Sequence, residues 1–114
     1  MSDRTDIQPL LSCYADDPEM GELISEFLES LPGRVRALRG GLEQRDVKRL
    51  TRIAHQLKGA SAGYGFAPIG ESAAHLEDTL RAFGQRDLSG VSALIEDLIG
   101  LCNHAVASAE HHAH

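Results

Sequence analysis

His55 sits in the stretch Ala54-His55-Gln56-Leu57-Lys58-Gly59-Ala60-Ser61-Ala62-Gly63-Tyr64-Gly65-Phe66, where an imidazole, an amine and a position without a side chain fall within about one helical turn. If the stretch is helical, Leu50, Ile53, Leu57, Ser61 and Tyr64 form its buried stripe. His55 then lies about 200° from both Ile53 and Leu57, at ~100° per residue, and projects away from the core. Arg52 and Lys58, three residues to either side, put cations one turn before and after the ring, where they would attract an anionic group. A neutral imidazole is a nucleophile suited to phosphoryl transfer. Gly59 is unusual at a mid-helix position, where it costs roughly 0.5–1 kcal/mol relative to Ala. A side chain there would lean back over the imidazole, and glycine leaves the ring open. The plainer alternative is a solvated helix face whose glycine permits close packing, and periodicity alone does not choose between the two.

The elements that must position this stretch are helical nearly throughout. Ile7, Leu10, Leu11 and Tyr14 predict a short first helix, closed by the Ala15-Asp16-Asp17 turn. Asp17-Pro18 reads as an N-cap followed by proline at the first helical position, with Glu19 and Glu22 suiting a helix start. Ile24, Leu28, Leu31, Val35, Leu38 and Leu42 follow at spacings of 4, 3, 4, 3 and 4. This stripe passes Pro32-Gly33 without losing phase, which predicts one kinked helix rather than two. The third helix carries His55 and ends at Gly63-Tyr64-Gly65. Ile69, Ala73, Leu76, Leu80 and Phe83 predict a fourth, entered near Pro68 and closed at Gly84, and Leu88 through Ala105 predict a fifth. No segment alternates as a strand would. The fold class expected is all-α: an antiparallel up-and-down four-helix bundle with a short additional N-terminal helix. Residues 1–16 would hold the short helix and turn, 17–108 the bundle in the same domain, and 109–114 a frayed His-rich tail.

Composition narrows the function classes. The chain has 114 residues, 42% hydrophobic and 25% charged, which suits one domain with a real core. Three Phe, two Tyr and no Trp, with a net charge of −6, disfavour nucleic-acid binding. The charge is segregated. Residues 1–30 hold eight acids against Arg4, and residues 31–58 hold eight bases against Glu43 and Asp46. Such a segment suggests an acidic partner or a phosphate, with complementary helix packing as the alternative. Cys13 and Cys102 lack metal or disulfide spacing and read as free, half-buried thiols. The absence of a signal segment or membrane-length apolar run predicts a cytoplasmic protein with no membrane partner. His104, His111, His112 and His114 offer an adventitious metal site without a framework around them. Gly63-x-Gly65 follows a helix rather than a strand, and no Gly-Lys-Ser/Thr follows it, so no ATP site and no kinase activity of its own are expected.

His55-x-Leu57-Lys58-Gly59-x-Ser61-x-x-x-Gly65 resembles the signature of histidine phosphotransfer (HPt) domains, and the likeness extends from about Asp17 to Phe83, Pro32 included. The resemblance implies a phosphocarrier of two-component phosphorelays, with His55 as phosphoacceptor, Lys58 steadying the phosphoryl group, Gly59 giving access, and Ser61 and Gly65 aiding packing and helix termination. It also implies that Glu77, 22 residues after His55, stands where some members orient the imidazole, and that the phosphoryl group passes to and from receiver-domain aspartates. The partners implied are response-regulator receiver domains or a hybrid sensor kinase. The carrier, expected to be a monomer, would need no cofactor, since Mg2+ belongs to the partner receiver. His75, beside the Leu76 core position, could approach His55 but reads more simply as a packing residue. The rival function is a helical interaction module that binds an acidic partner without being phosphorylated.

Overall fold

A computed structural model describes residues 9–83 and 88–112. Its elements are four helices: α1 (Gly21–Glu43), α2 (Val47–Gly63), α3 (Ala67–Phe83) and α4 (Ser89–His112). No strand occurs among the described residues. α2 packs on α1 and α3, and α4 packs on the same two helices from the other side. The apolar stripes meet in one core that includes Leu31, Leu38, Leu50, Leu57, Ile69, Leu76, Leu80, Ile95 and Leu98. Phe27 and Phe66, neither on a predicted stripe, are also buried, and their rings stack with centroids 5.3 Å apart.

α1 runs through Pro32 as one helix, as the unbroken phase of its stripe predicts. It begins at Gly21 rather than at Pro18. Asp17 spends its side chain on the Glu19 N–H at 2.9 Å, and its carbonyl accepts from Met20 at 3.0 Å. Those bonds close a local turn over the residues expected to open the helix. α1 and α2 end alike. Asp46 N–H donates to the Gly41 carbonyl and Arg45 N–H to that of Leu42, with Arg45 left-handed at φ 55. At the end of α2, Phe66 donates to Ser61 and Gly65 to Ala62, with Gly65 at φ 84. Both are Schellman terminations, in which the left-handed residue turns the chain and serves the last carbonyls. Asp46 then caps α2 by accepting the Arg49 N–H at 3.1 Å.

The short first helix is absent from the described residues. Residues 9–12 have no regular structure and 13–16 form a turn; residues 1–8, with Ile7, lie outside the description. The cause is where the backbone donors go. Leu10 N–H donates to Ser108 Oγ and Cys13 N–H to the Gly65 carbonyl, each at 3.0 Å. A segment that spends its donors on distant partners cannot also close i to i−4 bonds. At the other end α4 continues to His112, past the boundary expected at 108. Cys13 is exposed and Cys102 fully buried, so neither thiol is half-buried. Burial pushes the Cys102 thiol up to about 11, against the pull of nearby Arg34. No described helix is long and apolar enough to cross a membrane.

Candidate functional site

His55 lies near the middle of α2, exposed, while its neighbours Ile53, Ala54 and Leu57 are buried. The phase of the helix alone fixes this: the residues that hold α2 against the core leave the imidazole on the opposite side. Gly59 follows one turn later, also exposed, and a Cβ built on it would meet nothing within 4 Å. Open space therefore does flank the ring at this position. Gly41 is its opposite, because a Cβ there would come within 2.8 Å of the Leu50 side chain.

Glu77 of α3 reaches the imidazole from the side. Its Oε2 lies 2.9 Å from His55 Nδ1 and 2.7 Å from Arg81 Nη2, and its Oε1 lies 3.0 Å from Lys58 Nζ. Arg81 Nε donates a further bond to Oε2 at 3.1 Å. The carboxylate side chain is only 4% exposed, against 63% for His55, 43% for Lys58 and 61% for Arg81. It is covered mainly by its three cationic or imidazole partners, which are themselves wet, rather than by depth in the core. Arg81 first, then Lys58 and His55, hold its pKa down to about 2 against the desolvation that opposes them.

That ionisation fixes the proton arrangement at His55. A carboxylate only accepts hydrogen bonds, so Nδ1 must carry the proton and donate to Glu77. In the neutral ring the lone pair then lies on Nε2. The group as a whole offers a nucleophilic nitrogen on an exposed ring, a carboxylate that can offset positive charge arising on it, and two permanent cations. Lys58 and Arg81 outnumber the one carboxylate, so this group as a whole carries net positive charge beside the ring.

His55, Lys58 and Glu77 are thus brought together, with Gly59 on the same open face. Arg52 is exposed and makes no ion pair or hydrogen bond with this group, and His75 is exposed on α3 with no hydrogen bond or ion pair to His55. The residue that sequence reasoning missed is Arg81. Its signal was present: an acid four residues before a base on one helix, the favourable orientation for a pair on a helix surface. Ser61 is fully buried and faces Gly70 of α3, where a Cβ built on Gly70 would lie 3.6 Å from that of Ser61. Of the histidines considered for a metal, His104 is partly buried on α4. The side chains of His111 and His112, and the whole of His114, fall outside the described residues. No group of three metal-ligating side chains is gathered among the described residues.

Comparison with curated proteins and with solved structures returns no match. A family model, that of the Hpt domain, matches residues 22–112, a span that runs from the first turn of α1 to the end of α4 and contains every residue of the cluster around Glu77. On that match the chain belongs to the Hpt domain family, whose members serve histidine phosphotransfer in phosphorelays.

Proposed function

We propose that this protein carries a phosphoryl group on His55, taking it from an aspartyl phosphate of a receiver domain and returning it to such an aspartate. The observation that carries the reading is the 2.9 Å contact between Glu77 and His55 Nδ1, which leaves Nε2 as the free nucleophile on an open face. In the transfer, the Nε2 lone pair attacks phosphorus in line. The N–P bond forms as the P–O bond to the aspartate breaks, and the aspartate leaves as a carboxylate. The ring gains positive charge while keeping its Nδ1 proton, and Glu77 offsets that charge. Lys58 Nζ can shift from Glu77 Oε1 toward the phosphoryl oxygens. Positioning and charge neutralisation of this kind account for most of the catalysis of phosphoryl transfer. Mg2+ would be held by the receiver, not by this chain.

The bundle in support of this reading is one that we take as antiparallel and up-and-down. Across α1 and α2, Arg34 bonds Gln56 while Gly41 meets Leu50; across α2 and α3, His55 meets Glu77 while Ser61 meets Gly70; across α1 and α4, Arg39 pairs with Glu96. In the first two interfaces one number rises as the other falls, and residues 44–46 and 64–66 make the reversals.

The test is incubation with a panel of phosphorylated receiver domains. The parent protein should acquire an acid-labile, base-stable phosphate, and His55→Gln should acquire none while keeping the parent's helical dichroism spectrum. Phosphate accepted by His55→Gln would overturn the assignment. A parent that binds receivers yet is never phosphorylated would favour the helical interaction module instead.

A further inference from the structure

The two oxygens of Glu77 are held in different ways. Oε2 accepts three directed N–H bonds, from His55 Nδ1 at 2.9 Å, Arg81 Nη2 at 2.7 Å and Arg81 Nε at 3.1 Å. Oε1 is buried and has no hydrogen-bond partner among the described residues. Lys58 Nζ stands 3.0 Å from it, close enough for charge attraction but off the direction of a hydrogen bond. The carboxylate is therefore fixed at the oxygen that meets the ring and held only by charge at the other.

The origin of these bonds matters as well. Glu77 and Arg81 stand four residues apart on α3, acid before base, so they share one face of one helix. His55 and Lys58 reach the carboxylate from α2. A glutamate side chain has much rotamer freedom to lose, and the two bonds from Arg81 remove it on the side away from the ring. Arg81 is 61% exposed and the carboxylate 4%, so the guanidinium covers the wet side of the acid. Without it, water would compete with Nδ1 for the same oxygen.

We propose that Arg81 is the positioning residue of the nucleophile: by pinning Glu77 Oε2 it keeps the His55 proton on Nδ1 and the lone pair on Nε2, and it continues to do so when Lys58 turns to the phosphoryl group. The inference rests on the proposed transfer at His55. That transfer draws Lys58 away from Oε1 just as the ring gains positive charge. A carboxylate held by Lys58 alone would lose its anchor at that moment, whereas the bonds from Arg81 lie on the other oxygen and stay. A neutral imidazole has two tautomers, and the one protonated on Nε2 has no lone pair there to attack with. An acid that orients the ring selects between them, and a ring in the wrong tautomer loses most of its activity. The two cations thus divide the work: Lys58 serves the phosphoryl group and Arg81 the proton.

The experiment reads tautomer and rate separately on the parent, Arg81→Ala, Arg81→Lys and Lys58→Ala. Tautomer populations come from ring nitrogen chemical shifts at about pH 9, where an ordinary histidine is neutral. The His55 signals are identified by their loss in His55→Gln. Rates are taken with a phosphorylated receiver and with phosphoramidate, a small donor that needs no docking surface. Arg81 is exposed in the last turn of α3, and Lys there keeps the charge that suits a helix C-terminus, so the fold should be kept. Arg81→Ala should turn a uniform Nδ1–H ring into a mixture of tautomers. It should also lose about tenfold in rate with both donors, the order seen for groups that orient metal-bound histidines. Arg81→Lys should recover part of both, and Lys58→Ala should be slow with the parental tautomer. Slow labelling of Arg81→Ala with a parental tautomer would place Arg81 on the phosphoryl group and overturn the proposal. A loss confined to the receiver would assign Arg81 to docking and overturn it too. Failure of the parent to be labelled at His55 by either donor would remove the proposed function, and it is recognised without any variant. The hold of Arg81 on the ring is then still decided by the tautomers, whose measurement needs no phosphate.

Discussion

Two glutamates of this bundle pair with a cation on another helix, and they could hardly differ more. Glu96 of α4 meets Arg39 of α1 at 3.1 Å with both side chains about half exposed. Such a pair gains little, since water screens its attraction and two long side chains must be ordered to make it. Glu77 meets three partners, is nearly covered by them, and has its pKa held at about 2. The difference is one of multiplicity. A single exposed pair can be dissolved without consequence, whereas a covered carboxylate shared by three groups fixes the position of each. One of those three is the imidazole.

Removing the shared carboxylate should therefore have the largest effect. Glu77→Ala would leave Lys58, Arg81 and His55 around an empty centre, and we expect a loss of about 2 kcal/mol, below the usual cost of breaking a buried pair because the partners are wet. Chemical denaturation at pH 7 measures it. The sign of the pH dependence follows from the depressed pKa. The contribution of Glu77 is fully present above its unfolded value near 4.5 and declines as pH falls toward the folded value of about 2. Over that window the stability gap between the parent and Glu77→Gln should shrink; a gap constant with pH would mean that Glu77 is not the ionised centre described.

Lys58 sharpens the comparison, because in the proposed transfer its ammonium would shift from Glu77 toward the phosphoryl group. Lys58→Ala should slow transfer by about tenfold, some 1.4 kcal/mol of barrier, while weakening receiver affinity less. Equal losses in rate and affinity would assign Lys58 to docking. Gly59 should separate fold from function. Gly59→Ala should stabilise the protein by roughly 0.5–1 kcal/mol, since its Cβ enters open space, and Gly59→Gln should fold well yet transfer poorly. Thermal melts and transfer assays on the same two proteins decide this, and melting far below the parent would show a packed position after all. Arg39→Ala should have the smallest effect, at most about 0.5 kcal/mol. A loss as large as that of Glu77→Ala would abolish the contrast between the two glutamates.

Much of this architecture was legible in the residues. The stripes of α2, α3 and α4 repeat at helical period, the Gly63-Tyr64-Gly65 stop coincides with the end of α2, and the same periodicity turns His55 outward. Phe27 was missed although it stands three residues after Ile24 and four before Leu31, because the stripe was drawn through the partly buried Leu28 instead, and Phe66 was missed because it lies in the turn between α2 and α3, on no helical stripe. The N-terminal segment misled because its apolar spacing is helical while its donors serve carbonyl and hydroxyl groups far along the chain. Spacing from His55 pointed to Glu77 only through a family likeness. What residue types could not show is that Lys58 and Arg81 converge on the same carboxylate from two different helices.

The N-terminal strap bears on how the chain assembles. Its bond from Leu10 to Ser108 spans 98 positions, and that from Ser12 Oγ to the Tyr64 carbonyl spans 52, whereas α1 and α2, like α2 and α3, are joined across three-residue turns. Loop-closure entropy grows with the length enclosed, so the hairpins of neighbouring helices can form on local contacts while the strap must wait for both α4 and the α2–α3 corner. It is the least local part of the fold, added after the helices whose ends it ties and the first to be surrendered when they loosen.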